Sequence, residues 1–193
     1  MTSVFLLFLL IFLVILSGFL SGSETAITAT SKARILYKKK KGSKRAEYVL
    51  ELLDKKDNVI STLLLSNNLV NILASSLATA FFYDLFGVEG IFYATLIMTI
   101  VIVIFAEVLP KTYAINKPNR TALLISPIIY YLNKILFIFV FLINLIVRFI
   151  FRKNDNDIKN NDLQSEEELK GVIDLYKTSN PDYEQEKDML QSI

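Results

Sequence analysis

A chain of 193 residues is long enough for one ordinary domain, but 53% hydrophobic residues and a mean hydropathy of +0.44 do not suit a soluble domain of that size. Cysteine and histidine are both absent, which excludes disulfide frameworks, thiol nucleophiles, Cys/His zinc centres and His-dependent triads, so that any metal ion would have to be held by oxygen. The net charge of +2 conceals a split: from Asn154 onward four basic residues stand against eleven acidic ones, leaving seventeen basic and eight acidic before it. A basic, apolar part therefore carries an acidic tail.

The first apolar block runs from Val4 to Leu20 without a charge and continues through the more polar Ser21 to Thr30. As a helix it is long enough to cross the ~30 Å hydrocarbon layer. A secretory signal is the alternative, but such a signal opens on basic residues and Lys32 is the first positive charge here. Ten Lys and Arg follow between Lys32 and Lys56, four of them consecutive at Lys38 to Lys41. A cluster of that kind resists translocation and marks the cytoplasmic side. The second block, Val59 to Tyr83, and the third, Ile91 to about Tyr113, flank the segment Asp84 to Gly90, which holds two acids and no base. That connection is placed outside, so the first helix starts outside, the second runs outward and the third returns.

The fourth block, Ala122 to Val147, is basic at both flanks, with Lys117 and Arg120 before it and Arg148, Arg152 and Lys153 after it. A single crossing would leave one of these clusters outside. Pro127 interrupts the block, and Asn133 and Lys134 lie near its middle, where a charge is costly in hydrocarbon. The expected form is a bent helical hairpin at the cytoplasmic leaflet with Lys134 reaching the headgroups, a fourth spanning helix being the alternative. Asn154 to Asp162 reads as a solvated linker. Ser165 and Glu168 form a capping box before one amphipathic helix, and Asn180-Pro181 announces a second. The expected fold class is an all-α membrane protein with three transmembrane helices, a juxtamembrane hairpin or belt at the cytoplasmic leaflet, and a small cytoplasmic helical tail. Residues 1–153 are read as the membrane domain and 154–193 as an acidic cytoplasmic segment that stops within an apolar face, as if cut before a domain it should contact.

Polar residues inside apolar helices are functional candidates by default, because each needs a cavity or a partner. Glu107 follows the nearly unbroken apolar run Ile97 to Ala106 and precedes Pro110. Proline has no N–H, so the carbonyl of Ala106 loses its α-helical donor beside the Glu107 carboxylate. An ion pair between Glu107 and Lys111 at i, i+4 is the simpler alternative. Asn67 and Asn71 share one helix face, where two amide oxygens suit a hard cation; interhelical hydrogen bonding is the alternative. In the first helix Ser17 and Ser21 stand beside Gly18 and Gly22, a small-xxx-small pattern for close helix packing or dimerisation, and any unwinding at Gly22 would add carbonyl oxygens. At ~1.5 Å per residue, Ser21, Asn67 and Glu107 all fall in the cytoplasmic half of the bilayer. Mg²⁺ fits that donor set, since it takes about six oxygens at roughly 2.0–2.1 Å, although composition leaves Na⁺ open.

Three segments then carry a resemblance: S-G-F-L-S-G-S-E-T-A from Ser17 to Ala26, L-L-L-S-N-N-L-V-N from Leu63 to Asn71, and F-A-E-V-L-P-K from Phe105 to Lys111. With them the chain is similar to the membrane domain of the CNNM/CorC family of magnesium transporters. Its tail from Ser165 resembles the acidic helical region that leads into that family's paired CBS domains, which this chain does not contain. The resemblance implies a homodimer in the plasma (inner) membrane, N-terminus outside and C-terminus cytoplasmic, that exports Mg²⁺ in exchange for Na⁺ through an inward-facing polar cavity. Carried over by position, the ion-site residues are Ser21, Gly22, Asn67, Asn71 and Glu107, with Ser66 and Ser17 as secondary members; Ser66 stands where relatives often have glycine. The rival reading is a non-transporting Mg²⁺-sensing or regulatory membrane module. An enzyme is not expected, because Glu107 alone is placed for acid–base chemistry, and no nucleic-acid partner is expected.

Overall fold

The computed structural model describes residues 2–136, and every element among them is a helix. In chain order these are α1 (Thr2–Ala29), α2 (Lys32–Lys40), α3 (Lys44–Asp54), α4 (Lys56–Phe86), α5 (Glu89–Val101), a π-helical segment (Ile102–Val108), α6 (Leu109–Asn116) and α7 (Pro118–Ile135). Three stretches are long and apolar enough to cross a membrane: Val4–Ala29, Lys56–Phe86 and Glu89–Asn116, the last being α5, the π segment and α6 end to end. Phe5, Phe8, Phe12, Phe92 and Ile100 are more than half exposed along these helices. Such apolar surface would be a liability in water and is the normal contact face in lipid. The chain is an all-helical membrane protein.

The connection between the second and third spans is shorter than its composition suggests. Polar Asp84 and Glu89 are absorbed into helices, leaving only Gly87 and Val88 between α4 and α5. Gly87 adopts a positive φ of 65° and gives its N–H to the carbonyl of Tyr83 at 2.8 Å, which closes α4. At Gly90 a Cβ would sit 2.1 Å from the carbonyl oxygen of Phe82, so the two backbones meet where only glycine fits.

The basic stretch after α1 is a packed layer. Its charges line the exposed sides of α2 and α3, while Ile35, Ala46, Val49 and Leu52 are buried. A left-handed Gly42 separates the two helices. Its N–H bonds to Lys39 O and that of Ser43 to Lys38 O, the paired bonds that terminate a helix on glycine. α3 packs against α7, whose buried face is Ala122, Ile125, Ser126 and Ile129, and the Tyr48 and Tyr130 rings lie 5.2 Å apart. Together α2, α3 and α7 form a collar around the C-terminal part of α1 and the start of α4. The largest fully buried side chains, including Ile27, Ile35, Leu52, Leu63 and Ile129, gather at this collar end.

α7 is the described half of the fourth block. It runs through Pro127 without ending, because Ser126 Oγ lies 3.3 Å from Leu123 O, the carbonyl whose donor the proline withholds. Leu124, Ile128, Tyr131 and Ile135 are exposed on its other side, and Lys134 is exposed in its last turn. This two-sided helix suits a membrane surface and is not one of the three span-length segments. The return arm of the hairpin, the 153/154 boundary and both tail helices lie outside the described residues.

At the opposite end, α1, α4 and α5 leave a groove of about 350 Å³ lined only by apolar side chains, among them Leu10, Val14, Phe81, Met98 and Phe105. Gly90→Ala is expected to lower stability by roughly 1–3 kcal/mol through overpacking. Gly42→Ala, with nothing within 4 Å of the new Cβ, should cost only about 1–2 kcal/mol of left-handed backbone strain. Thermal unfolding in detergent compares each with the unsubstituted protein, and a Gly90→Ala midpoint equal to that of the unsubstituted protein would contradict the α4–α5 contact.

Candidate functional site

The polar residues of α1 and α4 meet in the bundle. Ser17 is fully buried, and its Oγ lies 2.8 Å from Asn67 Oδ1 and 2.6 Å from Asn71 Oδ1. The i, i+4 spacing of the asparagines explains how one side chain reaches both, since they stack on a single face of α4. A serine hydroxyl carries one proton and can donate it to only one of the two amide oxygens. Three side-chain oxygens thus converge where α1 meets α4, neutral donors of the kind a hard cation accepts.

One turn along α1, Ser21 is also fully buried and its hydroxyl has no hydrogen-bond partner among the described residues. Leaving such a group unsatisfied costs about 1–3 kcal/mol, so a buried orphan at a polar cluster points to a ligand. Ser66 contributes differently: its hydroxyl donates to Thr62 O within its own helix at 2.7 Å, which occupies its proton locally. Thr62 in turn bonds Asn133 Oδ1 at 2.7 Å and ties α4 to α7. Asn133, which looked like an interruption of the fourth block, is a link to the collar.

Gly18 and Gly22 form the adjacent face of α1. A Cβ on Gly18 would lie 3.1 Å from Phe105 O and 3.2 Å from Pro110 Cγ, and one on Gly22 would lie 3.3 Å from both Pro110 Cβ and Pro110 O. The small-residue pattern is therefore used within the chain, for close packing on the π segment and α6, and is not free to bring two copies together. Gly22 stays helical inside α1, so the unwinding that would have added a carbonyl there does not occur.

The third span widens where the acid lies. The N–H of Leu109 goes to Ile104 O, five residues back, and Pro110 has no N–H. The carbonyl of Phe105 therefore lacks both its α-helical donor, Leu109, and its π-helical donor, Pro110. Reading proline against an ideal α-helix placed the loss at Ala106; the π register brings in Phe105, and its oxygen is the one facing Gly18. Glu107 lies inside this segment, half-buried, and forms no ion pair or hydrogen bond among the described residues. The pairing with Lys111 does not form. No group of three or more Asp or Glu that could hold a metal occurs among the described residues, so the oxygens on offer are neutral apart from this carboxylate.

The structure thus joins Ser17, Asn67 and Asn71 directly, sets Ser21 on the same face of α1, and packs the Glu107-bearing segment on the next face. Ser17, read as secondary, is the hub. Two matched i, i+4 polar pairs, Ser17/Ser21 and Asn67/Asn71, were the available signal for it; nothing in the sequence marked the π register. Ser17→Ala should destabilise the protein by about 1–3 kcal/mol by leaving the amide that takes its proton without a donor, while Ser21→Ala should be neutral or stabilising because it removes an unsatisfied group. Unfolding midpoints in chelator read the contrast, and a loss from Ser21→Ala equal to that from Ser17→Ala would refute the assignment.

Comparison with known sequences adds a further finding. Residues 8–186 match the Cyclin M (CNNM) transmembrane N-terminal domain. The chain is 36% identical over 180 residues to the UPF0053 inner membrane protein YfjD of Escherichia coli (strain K12), covering 92% of this chain and 42% of that protein. It is 34% identical over 192 residues to a UPF0053 protein of Haemophilus influenzae, with 97% and 45% covered. A chloroplastic DUF21 domain-containing protein of Arabidopsis thaliana is 25% identical over 182 residues, with 92% and 27% covered. The chain spans less than half the length of these relatives.

Proposed function

Because this chain belongs to the CNNM family of transmembrane domains, we propose that it moves Mg²⁺ across the plasma (inner) membrane, as efflux coupled to Na⁺. The observation that carries this reading is the convergence of Ser17, Asn67 and Asn71 side chains, beside a Ser21 hydroxyl that is buried and unpartnered among the described residues. Hydroxyl and amide oxygens replace part of the ion's water shell, and Glu107 contributes one negative charge. One carboxylate holds a divalent ion loosely enough to release it, which a carrier requires. Na⁺, with half the charge, competes for the same neutral oxygens and gains less from Glu107.

The π segment contributes an irregular stretch of helix at the acid, the kind of backbone that membrane carriers use around ions. The apolar groove at the N-terminal end of α1 offers a cation no ligands, whereas the polar residues lie toward the collar. With the basic collar in the cytoplasm, the site is inward-facing, the N-terminus is outside and the C-terminus is cytoplasmic. In a homodimer the contact uses a surface other than Gly18 and Gly22, which the chain's own third span covers.

Glu107→Ala is expected to abolish specific Mg²⁺ binding by calorimetry and Mg²⁺ flux in proteoliposomes while the protein stays folded. Undiminished affinity would remove Glu107 from the site. Binding without flux in the unsubstituted protein would assign it instead to a sensing or regulatory module. Cysteines at Leu85 and Lys134, both exposed, should react with impermeant reagents from opposite sides of the membrane in cells; reaction from one side would overturn the orientation.

A further inference from the structure

We infer that Glu24 is the mouth of the cation path, an electrostatic collector that draws hydrated divalent ions onto a polar stripe of α1 leading to Ser21 and Ser17. This rests on the transport reading and adds a residue to it. Ser17, Ser21, Glu24 and Thr28 recur at i, i+4, i+7 and i+11, so they share one face of the helix. Along that face exposure rises in order: Ser17 and Ser21 are fully buried, Glu24 is half-buried and Thr28 is exposed. The stripe therefore runs from the oxygen cluster toward the collar end of the helix, where its last member is exposed, and Glu24 stands about 8 Å before that end at ~1.5 Å per residue.

Two independent observations separate this stripe from an ordinary polar helix face. The Ser21 hydroxyl, inward of Glu24 by three residues, is buried and unpartnered. The Glu24 carboxylate makes no ion pair or hydrogen bond among the described residues, although cations surround the collar. Lys32 is engaged by Asp54 at 2.7 Å and Lys55 lies 3.8 Å from Glu51. Lys56 reaches the same stripe but donates to the carbonyl of Thr28 at 3.2 Å and leaves the carboxylate open. A carboxylate whose lysine neighbours are occupied elsewhere is not held as a structural ion pair.

The chemistry follows from the reluctance of Mg²⁺ to shed water. A single, partly exposed carboxylate attracts the hydrated ion without stripping it, raising its local concentration before the buried oxygens take over. Such a group changes capture and leaves the turnover of bound ion alone. Lys56, bonded to the Thr28 carbonyl one turn outward, opposes it.

The test is Mg²⁺ flux in proteoliposomes against Mg²⁺ concentration on the collar side, for the unsubstituted protein, Glu24→Gln, Glu24→Asp and Glu107→Gln. Glu24→Gln should raise half-saturation roughly 3- to 10-fold, a modest steering effect, with maximal flux within about twofold, and added monovalent salt should narrow the gap by screening. Glu24→Asp should recover most of the difference, which excludes a folding defect. Unchanged half-saturation in Glu24→Gln, with flux abolished by Glu107→Gln, would overturn the role of Glu24 and leave the transport reading standing. Maximal flux lost at unchanged half-saturation would also overturn it, making Glu24 part of the turnover step. No flux from the unsubstituted protein would sink both.

Discussion

The arrangement depends on how closely α1 can approach the third span. Gly18 and Gly22 present backbone where side chains would otherwise stand, and the Phe105 carbonyl and the Pro110 ring come within contact distance of the space a Cβ would need. In a bilayer there is no hydrophobic force between helices, so this kind of close packing is what holds them together. Because the glycines occupy one face of α1, Ser17 and Ser21 are turned onto the next, where Ser17 meets Asn67 and Asn71. Removing the close approach would shift the serines and the acid-bearing segment together.

The π segment is the counterpart of that approach. An extra residue in the turn before Pro110 changes which carbonyl goes without a donor, and proline prevents the α register from being restored at that point. An unsatisfied carbonyl in hydrocarbon is costly unless protein or a ligand covers it. Here it is covered by α1 at a glycine. The same segment carries Glu107, which has no cationic partner among the described residues, on the helix that packs against the serine-bearing one.

The collar gives the bundle its rigidity. The tightest core lies between α2, α3, α7 and the adjacent ends of α1 and α4, while the opposite end is a loose apolar groove against lipid. The Thr62–Asn133 bond fastens the collar to the second span, and the N–H of Ser31, bonded to Asn119 Oδ1 at 3.2 Å, ties the α1–α2 junction to α7. Polar residues near the collar end therefore rest on a well-packed base. The stripe from Thr28 to Ser17 ends beside that base.

The three spans were legible in the sequence because hydropathy is a local property that survives whatever the helices pack against. Glu107, Asn67, Asn71 and the serines were legible for the same reason: a polar residue in an apolar run stands out without knowledge of its neighbours. A juxtamembrane belt was expected, but not that α2 and α3 form part of it, because ten cations between Lys32 and Lys56 mask the apolar spacing of Ala46, Val49 and Leu50. Only the tertiary structure decided that Ser17 is the hub, that Glu107 is free of Lys111, and that the glycines serve the chain's own third span. Each of these depends on which helix faces meet and on the register of the third span's hydrogen bonds, and long-range packing sets both.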